Sequence, residues 1–264
     1  MRRSFSKHRI ARLSVPAAIL ALMLALPPAA FSHPEIQSQI DVLNAQLMQQ
    51  PGNPALLLQR ADLYRRHGDF VSAKRDLAAA GQAETVPAEL PFYEGRLQLD
   101  SGQAAAAEHS FSRYLGAMPK HATAYVLRAE ARSAQGSMEQ AAQDYGEAIK
   151  LSEAPAPELF RLAARCLVQA GDSQWPAAEE MLDSGLARFP RETSLLGLAV
   201  DLALAQNDPE SAVALVSSLP GALLRLPQWQ ARANLANTLS TNDPASRAEG
   251  LRIARQRLVA YTSN

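Results

Sequence analysis

Cysteine is almost missing from this chain. Cys166 is the only one in 264 residues, so no internal disulfide can hold the fold together. It lies within a helical stretch and reads as a small buried apolar residue. Histidine is scarce too. Outside the first 32 residues there are His33, His67, His109 and His121, with no HExxH pair and no other close metal-ligand spacing. There is no Walker loop, no GxGxxG and no GxSxG, and the serines and acids form no grouping of nucleophile, base and orienting residue. These absences exclude the enzyme classes that can be read from a motif. The expectation is a non-catalytic protein with no cofactor, no metal and no small-molecule substrate. Strand-like alternation of useful length is also lacking. Excess charge of one sign is lacking as well: 26 basic residues stand against 26 acidic ones. A nucleic-acid binder rests on clustered Lys and Arg, so no nucleic-acid partner is expected.

What is present begins with a leader. Arg2, Arg3, Lys7, Arg9 and Arg12 precede an apolar run from Pro16 to Ala30, and Ala30 and Ser32 form a small-x-small site before His33. This is the pattern of a signal peptide, expected over residues 1–32, and it places the protein in the periplasm or outside the cell. The run is short and broken by Pro16, Pro27 and Pro28, so no stable transmembrane segment is expected. No cysteine follows it for lipid attachment. Arg2-Arg3-Ser4-Phe5-Ser6-Lys7 resembles a twin-arginine motif, so both the general and the twin-arginine export routes stay open. The leader holds five basic residues and no acidic one, which leaves 21 against 26, a net −5, in the mature chain.

The rest of the chain is organised around Ala122–Pro155. In those thirty-four residues Tyr125, Ala129, Gly136, Ala141, Tyr145 and Ala148 take positions 4, 8, 15, 20, 24 and 27. Small residues at 8 and 20 let two helices approach, aromatics at 4 and 24 fill the space around them, and Gly136 ends the first helix. Gly68, Gly102 and Gly136 are thirty-four apart, as are Ala73, Ala107 and Ala141. This spacing resembles the tetratricopeptide repeat, a helix-turn-helix unit.

The resemblance covers nearly all of the mature chain and implies an all-α, right-handed superhelical solenoid. Residues 33–52 form a capping helix, with Ile36, Ile40, Leu43 and Leu47 on one face and Pro51-Gly52 as the stop. Residues 53–264 form about five repeats and a degenerate C-terminal capping repeat. Repeat one starts at Pro54, with Arg60 in place of the family's apolar residue at position 7. Repeat two starts at Ala88 and places Pro91 in a first helical turn. Repeat four, from Pro157, fits only if its turn gains two residues. Trp175 in that turn is either a staple onto the next helix or an exposed contact. Asn207 replaces the turn glycine of repeat five. The sixth unit carries Trp229 and Ala233 and ends in a long helix from Pro244 to Tyr261. There Ile253, Leu258 and Tyr261 are expected to face inward and Arg247, Arg252, Arg255 and Arg257 outward. About twelve or thirteen helices are expected in all.

In the tetratricopeptide family the first helix of each repeat lines a concave groove. The resemblance therefore implies a protein-binding scaffold of the cell envelope, with an export or assembly companion of a secreted enzyme as the alternative. The implied protein-binding residues are Leu58, Asp62, Phe92, Tyr93, Arg96, Val126, Leu127, Glu130 and Arg165. Leu99, Leu162, Val168, Leu198 and Leu204 are further apolar groove positions. Position 9 alternates in sign along the stack as Asp62, Arg96, Glu130, Arg165 and Asp201, and position 7 begins likewise with Arg60, Glu94 and Arg128. These residues either pair between repeats or pattern the floor for a partner. The carboxylate-binding lysines and asparagines of chaperone-binding members are absent. The unnamed partner is expected to dock over repeats two and three.

Overall fold

A computed structural model describes residues 34–262. The expected signal peptide and His33 lie outside that range. Fourteen α-helices follow one another among the described residues: α1 (Pro34–Gln49), α2 (Pro54–His67), α3 (Phe70–Ala80), α4 (Leu90–Asp100), α5 (Ala104–Ala117), α6 (Ala122–Ala134), α7 (Met138–Leu151), α8 (Pro157–Ala170), α9 (Trp175–Arg188), α10 (Thr193–Ala205), α11 (Pro209–Ser217), α12 (Gly221–Leu224), α13 (Pro227–Leu239) and α14 (Pro244–Thr262). The one-turn helix α12 takes the number past the expected thirteen. Each consecutive pair packs as an antiparallel hairpin, and each second helix packs on the first helix of the next pair. The first helices α2, α4, α6, α8, α10 and α13 therefore form one layer, and the second helices form the other.

The turns follow from backbone chemistry. Gly68, Gly102 and Gly136 have φ of 86, 72 and 79°, and Asn207, the one described non-glycine residue at positive φ, has 62°. These are left-handed C-terminal positions, which glycine takes without strain and asparagine tolerates best of the rest. Asp69 and Asp208 then accept from the backbone N–H groups of Ser72 and Ser211 and start the second helices. The lengthened turn of repeat four is a 3-10 segment, Asp172–Gln174, after which Trp175 opens α9. The indole is half-buried against the core, so the staple reading is the one the packing favours.

Helix approach is set by small residues. Ala61, Ala73, Ala107, Ala129 and Ala141 are all fully or almost fully buried. In repeat two the volumes are shared differently. A Cβ at Gly95 would come within 2.7 Å of the Phe111 ring, so the large ring at position 24 requires glycine at position 8.

Two position-7 arginines, Arg60, which departs from the family pattern, and Arg128, are joints of the stack. Arg60 Nε and Nη2 donate to the Asp76 carboxylate at 2.6 and 2.8 Å, while Nη1 donates to Asn44 of the preceding helix at 2.8 Å. Arg128 repeats the arrangement on Asp144, at 2.9 and 2.7 Å, and on Ser112 at 3.3 Å. Asp144 also accepts from Arg132 at 2.9 Å. Asp76 and Asp144 are only 2 and 3% exposed. Removing one partner from such a buried pair costs about 3–5 kcal/mol, because the other charge is left buried and uncompensated. The position-7 arginines thus point between the layers and away from the groove. Repeats four and five carry Ala163 and Ala199 there, within large apolar clusters.

The last helix departs most from expectation. Instead of capping the end of the stack, α14 turns back across the free face of the first-helix layer and packs on α13, α10 and α8. Ala254 and Leu258 are each 1% exposed, whereas Ile253 is 42% exposed. The inward face is thus rotated from the one expected, and two of the arginines read as outer contact the stack, Arg257 from a half-buried and Arg255 from an exposed position. Arg257 Nε donates to Asp201 Oδ1 at 2.8 Å, and Arg255 Nε donates to the Ala205 carbonyl at 3.4 Å while its guanidinium lies 5.9 Å from the Trp175 ring centroid. Arg252 does face outward, paired with Glu249. The Tyr261 side chain lies outside the described residues.

Candidate functional site: a groove open at one end

The return of α14 divides the concave face. Over repeats four and five the floor is filled. Asp201 sits beneath α14 and takes the buried Arg232 at 3.0 and 2.5 Å as well as Arg257. Every residue from 195 to 205 is buried, so Leu198 and Leu204 are covered and closed to a partner. Val168 is 8% exposed and likewise closed.

Over repeats one to three the floor is open. A cleft of about 470 Å³ lies between α1, α2 and α4, lined by Gln39, Val42, Gln46, Gln59, Asp62 and Tyr93 among others. Val42 is 59% exposed and gives the cleft an apolar edge. Tyr93 forms the opposite wall. Its ring meets Phe92 edge-on at 5.9 Å, and burial, with the Asp62 charge adding, holds its hydroxyl above the usual tyrosine range. Asp62 Oδ1 receives Arg96 at 2.9 Å and Arg65 at 3.0 Å, and Arg65 reaches on to Asp100.

The remaining expected site residues divide by depth. Leu58 is only 4% exposed and packs with Leu57, Leu77 and Leu97, so it is core and cannot meet a partner. Phe92 is half-buried in a joint of α4, α5 and α6, with ring centroids of Phe111, Tyr114 and His121 at 6.1, 5.1 and 5.2 Å. Its first duty is packing, with the Arg96 guanidinium 5.7 Å above it. Val126 and Leu127 are half-buried, packed on the apolar clusters of repeats four and two. Arg165 is half-buried, and its Nε has no hydrogen-bond partner among the described residues.

Glu130 is the exception on this floor. The position-9 ladder joins Asp62 to Arg96 but does not continue from Arg96 to Glu130. No described residue forms an ion pair or hydrogen bond with the Glu130 carboxylate. The side chain is exposed, yet the neighbouring protein partly desolvates it and raises its carboxyl above the usual range, with Asp100 adding to the effect.

No group of three metal-ligating side chains comes together among the described residues, and none of their helices is long and apolar enough to cross a membrane. Burial pushes the Cys166 thiol up, away from the reactive thiolate. A larger cleft of about 670 Å³ lies between α3 and α4 around Phe70, Val71 and Lys74, away from the concave floor.

Neither a protein-family model nor a curated protein sequence matches the chain. Solved structures do. A tetratricopeptide repeat protein from Parabacteroides merdae is similar at a TM-score of 0.51, covering 84% of this chain and 93% of its own, at 17% identity. The C-terminal part of a TPR repeat-containing protein from Cytophaga hutchinsonii is similar at 0.60, covering 88% and 92%, at 14% identity. The fold is that of the tetratricopeptide-repeat solenoids. In this stack the first-helix layer was legible from the repeat spacing, but the burial of Leu58, Leu198 and Leu204 and the contributions of α1 and α14 were not, since neither α1 nor α14 lies within a complete, regular repeat. A signal for α14 was nonetheless present: α10 reads TSLLGLAVDLALA, apolar on every side around one aspartate. A helix apolar all round is covered on all faces, and a buried aspartate requires cations.

Proposed function

We infer that this protein is a non-catalytic scaffold of the cell envelope that holds a segment of another protein in the open half of its concave groove. The observation that carries this reading is α14 itself. The same layer of first helices, two repeats further along, seats a helix by apolar burial and ion pairing, so its geometry suits a helix as ligand. Tyr93 beside Arg96 is the recognition pair, since tyrosine and arginine dominate binding energy in interfaces most often. The envelope location rests on the leader of residues 1–32, with its small-x-small site before His33.

The test is capture from an envelope extract of the native host, with Tyr93→Ala as comparison. Truncation at Tyr93 is expected to weaken capture by about 10- to 100-fold, or roughly 1.4–2.8 kcal/mol, with little change in melting temperature. A variant that melts normally and captures at full affinity contradicts the placement. The chain recovered from that host is expected to begin at His33. A full-length mass in the cytoplasmic fraction contradicts the location.

A further inference from the structure

We propose that the open groove receives a cationic amphipathic helix from its partner, seated as α14 is seated on repeats four and five, with a partner lysine or arginine on Glu130. This rests on the reading of the groove as a protein-binding surface and adds the chemistry of the occupant.

The template is internal. On α14 the cation and the apolar anchor are adjacent: Arg257 meets Asp201 at 2.8 Å, and Leu258, 1% exposed, joins the cluster that contains Leu198 and Phe160. Asp201 is the ninth residue of its repeat, with Leu198 three residues before it. Glu130 is the ninth residue of repeat three, with Leu127 three residues before it. The two acids thus occupy equivalent places on equivalent helices two repeats apart, each beside an apolar floor. One holds a cation from a helix laid across it. The other has none.

The nearby cations of the open half are engaged elsewhere. Arg96 lies on Asp62 at 2.9 Å, and Arg65 bridges Asp62 and Asp100. Of the three acids on this stretch of floor, Asp62 and Asp100 are paired with these arginines, and Glu130 is paired with none, since Arg165 of the next repeat forms no ion pair with it either. An exposed carboxylate with no ion pair is open to a cation brought by a ligand, which gains a charge-assisted hydrogen bond there while the ligand covers the apolar floor beside it. The span suits a helix. With axes about 8–10 Å apart, α2 and α6 lie roughly 20 Å from each other across α4, the length of about 13 helical residues.

The experiment uses the full chain and two fluorescent synthetic peptides. One has the sequence of Pro244–Thr262. The other has the same sequence with its four arginines replaced by glutamine. The arginine peptide is expected to bind saturably and the glutamine peptide at least tenfold more weakly. Glu130→Gln, which removes an unpaired charge and leaves the fold intact, is expected to weaken the arginine peptide about tenfold and leave the glutamine peptide unchanged. Equal binding of the two peptides overturns the proposal. So does an arginine peptide insensitive to Glu130→Gln, the result expected if it merely trades places with α14. Tyr93→Ala separates the two levels. If it weakens both peptides while charge has no effect, the groove reading stands and the cation preference falls. If neither peptide binds, or neither responds to Tyr93→Ala, both fall.

Discussion

Two glutamates of this chain sit in opposite electrostatic settings, and stability against pH distinguishes them. Glu108 accepts from Arg132 at 2.9 Å and from Gln135 at 2.9 Å, and these contacts, led by the Arg132 hydrogen bond, hold its carboxyl below the usual range. A lowered carboxyl stabilises the fold above the unfolded value of about 4.3, and the contribution is lost as pH falls through the folded value. Glu130 is raised by desolvation, with Asp100 adding, so its sign is reversed. Its ionised form costs stability at neutral pH, and the cost vanishes as pH falls through the raised folded value. Glu130→Gln is therefore expected to raise the melting temperature at pH 7 and Glu108→Gln to lower it, with both differences shrinking toward pH 4. Thermal melts of the three proteins at the two pH values check this, and a Glu130→Gln protein that melts lower at pH 7 contradicts it. At this scale the sequence was partly legible. The sixteen-residue spacing shared by Arg60 with Asp76 and Arg128 with Asp144 was visible, but position 7 alone suggested a groove ladder. Only the side-chain direction reveals a clamp between the two helix layers.

Among the elements, the helices built on the thirty-four-residue spacing were readable because local chemistry determines them. A left-handed glycine ends each first helix of repeats one to three, small residues set the approach of its partner, and these signals sit at fixed places. The path of α14 was not readable, because its arginines and apolar residues fit either a solvated cap or a returning helix. What decides is the tertiary demand of α10, whose Asp201 needs more than Arg232 and whose apolar outer face needs cover. Leu258 is the anchor of that cover. Leu258→Ala is expected to cost about 2–4 kcal/mol by transfer and cavity terms. It should also speed hydrogen exchange in α14 far more than in α6. Urea unfolding with peptide-level exchange checks both. A loss under about 1 kcal/mol, with α14 exchange unchanged, contradicts the docked position.

Over the whole molecule the two halves are built differently. The N-terminal repeats are tied by charged clamps around Asp76 and Asp144 and leave their groove open. The C-terminal repeats hold the large apolar clusters and fill their groove with α14. The repeat stack makes such division possible, since each unit packs only on its neighbours. The functional proposal depends on this asymmetry: a carboxylate under a helix in one half, and its counterpart exposed in the other. Carbodiimide labelling of carboxylates in the native chain, read residue by residue by mass spectrometry, measures it directly. Asp201, whose side chain has 0% exposure, is expected to stay unlabelled until the protein unfolds, while Glu130 reacts in the folded state. Asp201 labelled as fast as Glu130 in the folded protein would contradict the divided groove.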